Sequence, residues 1–288
     1  MNVVAALAGL AAWELLFALF LGKWLSSFWF FRIHGLSVVG LLVVAAGSAI
    51  SYVEFHGLGS QEGVVRQGEP RPRVALTFDD GPHPVYTAQV LDILGEHDIK
   101  ATFFLVGRHV LKYPETAKRI EQEGHDIGNH TFTHKDLLTA KRRILLSEVD
   151  KTDEAIYKIT GVQTKLFRPP RGALGPACRR ALVEKGYRIV LWTVSAADWS
   201  GISPKAIAAR VLRYTKPGGI VLFHDSGALV RSEGASRGNT VKALAEVIEK
   251  LRAKGFEIVP VSSMLSDLAA AEALALEDGR AAQAPSLF

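Results

Sequence analysis

The chain has 288 residues, 48% of them hydrophobic and 22% charged, with a formal net charge of +5 and one cysteine. A lone Cys178 excludes a disulfide framework, and no run of Lys or Arg interleaved with aromatics supports nucleic-acid binding; Lys141-Arg142-Arg143 reads as a solvated helix start. The length suits one enzyme-sized core plus a smaller, compositionally distinct first fifth.

In that first fifth, Asn2 to Leu21 is apolar apart from Glu14, and Leu36 to Val53 carries no charge. Each stretch is about long enough to span a bilayer as a helix. The connector from Lys23 to His34 combines Lys23 and Arg32 with Trp24, Phe28, Trp29, Phe30 and Phe31, the pattern of a cytoplasmic turn with interfacial aromatics. The expectation is a membrane anchor over residues 1–55 in contact with membrane lipids, with a linker over 56–72. The chain beyond would then face the periplasm or the cell exterior of a bacterial-type cell. A cleaved signal peptide is the rival reading; it has small residues at Ala45-Ala46-Gly47-Ser48 but a basic region too far from Met1.

Beyond the linker, short apolar runs alternate with segments of helical period. Strands are expected at Val74–Phe78, Ala101–Val106, Asp126–Asn129, Lys165–Phe167, Arg188–Val194, Gly219–Phe223 and Glu257–Val261. Helices are expected over Val85–Glu96, Pro114–Glu123 and Ala140–Ile159, and from Pro176, Pro204 and Thr240 onward. Such alternation predicts an α/β fold with a parallel sheet, a (β/α) barrel of about seven units, over residues 73–263. The Ala-rich tail, 264–288, reads as a helix that frays.

The barrel places Asp79, Asp80, Arg168, Asp198 and His224 just after strand ends, the rim where active sites of such folds lie. Two adjacent carboxylates repel unless a cation separates their duties, so Asp80 reads as a metal ligand and Asp79 as a general base. His130 and His134, four apart, would face one ion from a helical turn. Two histidines and a carboxylate leave a coordination position for water, as a catalytic metal site requires. One divalent ion is expected, zinc first, with cobalt, nickel, iron or manganese open. His224, after an apolar strand, is the candidate acid for a departing amine, with Asp198 as its carboxylate partner.

The segments Thr77-Phe78-Asp79-Asp80-Gly81-Pro82, Gly124 to His134, Arg168-Pro169-Pro170, Asp198-Trp199 and Leu222-Phe223-His224 resemble, in the same order, the polysaccharide deacetylases of the NodB-homology type. The resemblance runs from about Arg73 to Val261. It implies a distorted (β/α) barrel, with Arg168 against the base Asp79, and Leu222 and Trp199 lining a small pocket for the acetyl methyl group. It implies backbone N–H groups near Arg171 as an oxyanion site, and hydrolysis of N-acetyl groups on amino sugars of an envelope glycan. Two positions depart from the family pattern. Arg171 stands where tyrosine is frequent, adding a cation that suits an anionic substrate, and Ser195 stands in place of an outer aspartate. The loop Asp225 to Asn239, with Arg231 and Arg237, would rim the same face. Two rival readings are a deacylase of a polyprenyl-phosphate-linked amino sugar and an inactive glycan-binding scaffold.

Overall fold

The structure, a computed structural model, describes residues 63–227 and 236–277, together with Val39, Gly40 and Leu42. The chain divides into two compact units, Met1–Gly57 and Leu58–Phe288. In the first, the three described residues are helical; the two expected membrane spans otherwise lie outside the described residues. No helix among the described residues is long and apolar enough to cross a membrane.

The second unit is a curled parallel sheet wrapped by helices. In chain order it comprises β1 (Val64–Val65), β2 (Arg73–Asp79), α1 (Tyr86–Glu96), β3 (Thr102–Leu105), α2 (Gly107–Lys112), α3 (Pro114–Gln122), β4 (Asp126–Asn129), α4 (Arg142–Thr160) and β5 (Leu166–Phe167). There follow α5 (Pro176–Glu184), β6 (Arg188–Val190), β7 (Val194–Ser195), α6 (Pro204–Tyr214), β8 (Gly219–His224), α7 (Gly238–Ala253), β9 (Glu257–Ile258) and α8 (Val261–Glu277). The strands run in the order β1-β6-β5-β4-β3-β2-β8-β7, with β9 added to β2.

Side chains alternate across the central strands because successive residues of a strand point to opposite faces. Val74, Leu76 and Phe78 of β2 join Phe103 and Leu105 of β3 and Val221 and Phe223 of β8 in the main core, which they share with buried residues of the surrounding helices. Phe78 stacks on Phe103 and Phe223 at 5.1 and 5.6 Å between ring centroids. Burying each such side chain stabilises the fold by about 1.5–3 kcal/mol. The alternate residues face the interior of the curl. Ala75, Phe104 and Ile220 pack there with Val190, Val259 and Met264, and toward the strand ends Thr77, Asp79 and His224 follow on that same face.

Two expected strands change. Arg188–Val194 is not one strand, because β6 pairs with β1 and β5 while β7 pairs with β8 at the other end of the strand order. Leu191, Trp192 and Thr193 carry the chain across the seam between the two edges. The expected last strand stops at Ile258, and Val261 already opens α8, whose Met264 is buried. Here Asp126 accepts from the backbone N–H and the hydroxyl of Ser262 at 2.8 Å each, satisfying donors at the helix start.

Candidate active site

The strand β2 ends in Asp79, and its register with β8 sets Asp79 directly beside His224. After Asp79 the chain turns at once. Asp80 takes a left-handed conformation (φ 78°), which aspartate tolerates better than most residues, and a cis Gly81–Pro82 bond follows. Gly81 is needed for space, since a Cβ there would lie 2.5 Å from Asp225 Oδ2.

Asp79 and Asp80 are both nearly fully buried and hold different partners. Asp79 Oδ1 accepts from Arg168 Nη1 at 2.7 Å, while its Oδ2 lies 3.8 Å from His130 Nε2. Arg168 has no exposed surface. It also donates from Nη1 to Thr77 Oγ1 (2.7 Å), from Nε to the Val190 carbonyl (3.0 Å) and from Nη2 to the Leu191 carbonyl (3.2 Å). Those two carbonyls belong to the seam where the expected strand breaks, so the guanidinium ties that seam to the end of β2 and orients the carboxylate. The Phe104 ring lies 4.0 Å beneath its Cζ.

Asp80, His130 and His134 converge. One ligand atom from each lies within 4.8 Å of the others, with Asp80 Oδ1 at 3.3 Å from His134 Nε2 and 3.6 Å from His130 Nε2. The His130 ring is oriented from behind, its Nδ1 donating to the Arg168 carbonyl at 2.8 Å, which turns Nε2 toward the carboxylates. The expected helical turn is absent. His130 to His134 form a loop with left-handed backbone at Thr131 and His134, because the Thr131 and Phe132 carbonyls are taken by the N–H groups of Gly107 and Arg108, at the start of α2, rather than by residues of their own segment.

The set fits a divalent cation. Asp80 Oδ1 is buried without a hydrogen-bond partner, an arrangement that costs free energy unless a further group completes it. Burial works to raise the pKa of Asp80, but interaction with His130 and the charges of His224 and His134 prevail and hold it well below the ordinary range. His134 is pushed down to about 4 by burial and by neighbouring His130. An ionised carboxylate beside a neutral imidazole is the donor state a metal requires.

Beyond these three side chains, His224 Nδ1 lies 2.8 Å from Asp198 Oδ1, and Thr240 donates to Asp198 Oδ2 at 2.8 Å. Burial alone would lower the His224 pKa, but the Asp198 charge and hydrogen bond, then Asp80 and Asp79, lift it to about 9. Asp198 is held below its usual value despite burial, chiefly by the charge of His224.

The remaining expected residues are placed unequally. Leu222 is buried two residues before His224 on the same strand face, while Trp199 is 63% exposed in the short turn that carries Asp198. Arg171 adopts left-handed backbone and an exposed side chain 4.0 Å from Asp136, close enough for its charge to weigh on His134. Arg231 lies outside the described residues. Arg237 does not rim the face as expected. It is buried and donates from Nε to the Ser226 carbonyl at 3.0 Å instead of facing solvent.

Several residues of the site were not singled out from the sequence. Thr77 could have been found, being two residues before Asp79 and so on the same face. Thr240 comes from α7, 42 residues beyond Asp198. Asp225, fully buried, accepts from Thr87 Oγ1 at 2.6 Å, and burial pushes its carboxyl up to about 7. The His109 ring meets the Asp80 carbonyl at 2.8 Å and braces the turn.

The chain is similar to known proteins in sequence and in fold. The peptidoglycan-N-acetylglucosamine deacetylase of Bacillus cereus is 37% identical over 194 residues, covering 67% of this chain and 68% of the relative. The chitooligosaccharide deacetylase of Sinorhizobium fredii is 37% identical over 199 residues, covering 68% and 93%. A crystal structure of a peptidoglycan N-acetylglucosamine deacetylase superposes with a TM-score of 0.67 at 35% identity, covering 74% of this chain and 95% of that one. A CE4 family pseudoenzyme from Bacillus anthracis superposes at 0.65 with 29% identity, covering 71% and 69%, so activity must be argued from side chains, not from the fold. Residues 66–190 match the profile of the polysaccharide deacetylases, and with the relatives above this shows that the chain belongs to that family.

Proposed function

We propose that this protein is a metal-dependent carbohydrate N-deacetylase that hydrolyses N-acetyl groups on amino sugars of a cell-envelope glycan. The observation that carries the reading is the convergence of Asp80, His130 and His134 within 4.8 Å, flanked by one carboxylate, Asp79, and one cationic imidazole, His224. Relatives named as peptidoglycan and chitooligosaccharide deacetylases support the substrate class.

A divalent cation, zinc first, held by Asp80, His130 and His134 would supply Lewis acidity to water and to the amide carbonyl. Asp79, fixed by Arg168 through one oxygen, offers the other to take a proton from the attacking water. The water oxygen bonds to the acetyl carbon. His224, kept protonated by Asp198, then gives its proton to the amide nitrogen as the carbon–nitrogen bond breaks, leaving a free amine and acetate. An amine leaves poorly unless protonated, and general acid–base help of this kind is worth about 10²–10⁴ in rate. Trp199, exposed beside Asp198, and Arg171 would contact the sugar chain from either side. The apolar stretches within residues 1–55 would anchor the enzyme outside the cytoplasmic membrane, next to such a glycan.

The test is acetate release from N-acetylglucosamine oligomers and from peptidoglycan by the full chain, before and after chelation and re-addition of zinc. His130→Ala should lose bound metal and turnover together, whereas His224→Ala should keep metal while turnover collapses. Full activity after exhaustive chelation, or equal metal loss in both variants, would overturn the assigned roles.

A further inference from the structure

Two of the three ligands sit on a loop that needs outside support. Thr131 (φ 66°) and His134 (φ 57°) are both left-handed, and for residues other than glycine this costs about 1–2 kcal/mol each. Such backbone persists only where its surroundings over-determine it.

The first half of the loop is well secured. Asn129 Oδ1 accepts from the Thr131 N–H at 2.9 Å, and its Nδ2 donates to Asp153 Oδ1 and to the Val149 carbonyl, both on α4. The second half has a different anchor, also on α4. Glu148, half-buried, accepts from the Thr133 N–H at 2.7 Å, and the Thr133 hydroxyl donates to its two oxygens at 3.1 Å each. Thr133 directly precedes His134.

The two ligand rings differ correspondingly. His130 is fixed through its own Nδ1 on the Arg168 carbonyl. Among the described residues, no hydrogen bond from behind orients the His134 ring, and its side chain keeps 20% exposure. Its position near Asp80 therefore depends on the backbone on either side of it, Thr133 held by Glu148 and Lys135, whose N–H donates to Thr131 Oγ1 at 3.1 Å.

We propose that Glu148 is a positioning residue of the metal centre, setting the place of His134 by holding Thr133 from the flank of α4. This rests on the reading of Asp80, His130 and His134 as metal ligands. Groups that orient ligands from outside the coordination sphere typically alter metal affinity by about 10–100-fold. Glu148 is not at the bottom of a core, so the protein can lose the carboxylate and keep its fold.

Glu148→Ala and Glu148→Gln, in the full chain, would be titrated with Zn²⁺ and Co²⁺ against a chromophoric chelator, with the visible Co²⁺ spectrum and the melting temperature of the metal-free protein recorded. Glu148→Ala should weaken Zn²⁺ binding about tenfold and change the Co²⁺ spectrum, while metal-free melting stays near the parent's. Glu148→Gln, which keeps an acceptor for the Thr133 N–H, should restore most of both. Parent-like affinity and spectrum in Glu148→Ala would overturn the proposal alone, as would equal impairment of the two variants. A parent protein that binds neither ion would overturn the metal reading and this inference with it.

Discussion

Asp198 grips His224 twice, accepting at 2.8 Å from its backbone N–H through Oδ2 and lying 2.8 Å from its ring Nδ1 through Oδ1. The backbone bond fixes where the histidine stands, and the ring bond fixes which nitrogen faces the site. The charge does a third thing, lifting the imidazole from its ordinary 6.5 to about 9 against the effect of burial.

Asp198→Asn keeps an acceptor but removes the charge, so the alkaline limb of kcat, where the acid loses its proton, should move down by about one to three pH units. The same shift bears on stability. A raised folded-state pKa contributes stability that is complete below 6.5 and lost as pH rises through about 9. Thermal melting of the chelated protein should therefore fall across that window in the parent and fall less in Asp198→Asn. An unmoved kinetic limb would remove His224 as the acid.

Arg168 is the second residue whose loss should be diagnostic, and here the readout is stability. Its guanidinium serves Asp79, Thr77 and the two seam carbonyls from a position without exposed surface. Arg168→Met leaves a buried carboxylate unpaired and two carbonyls unsatisfied, a change expected to cost about 3–5 kcal/mol. Asp79→Asn in the same background should recover part of that, because the stranded charge is then gone. Urea denaturation of the single and double variants measures the coupling, and simple additivity would show that the pair is not energetically linked.

Most of the candidate site was legible because its signals are local. Asp79 and Asp80 are adjacent at the end of an apolar strand, His224 closes another, and period-two alternation carries Asp79 and His224 to one face of the sheet. What escaped depended on residues distant in sequence. The break between Val190 and Val194 reflects the curl of the sheet and the demands of Arg168, neither of which shows in an unbroken apolar run. The His130–His134 loop has the spacing of a helical turn, and the N–H groups of Gly107 and Arg108, together with Asn129 and Glu148, draw it into another shape. Arg237 looked like a surface cation because sequence carries no sign that the Ser226 carbonyl would receive it.

The last expectation concerns the opposite end of the barrel, and it separates acid loss of stability from acid loss of catalysis. His125 precedes β4, whose other end leads to His130. Its Nδ1 accepts from the Ala101 N–H at 3.1 Å, so the ring's proton resides on Nε2, which is buried without a hydrogen bond and 3.7 Å from Glu123. Burial, helped by the charge of Lys100, pushes its pKa down to about 4. Between 6.5 and about 4 the unfolded chain takes up a proton that the folded one refuses, so stability falls as pH drops through that window and levels off below it. Protonation of Nδ1 would also abolish the bond from Ala101. His125→Gln, which can still accept that bond, should flatten part of the fall, the remainder belonging to other buried histidines such as His134. Denaturation midpoints at about pH 7 and pH 5 check this: the parent should lose more than His125→Gln between them, while the acid limb of kcat stays in place. Identical losses would show that His125 is protonated freely in the folded protein.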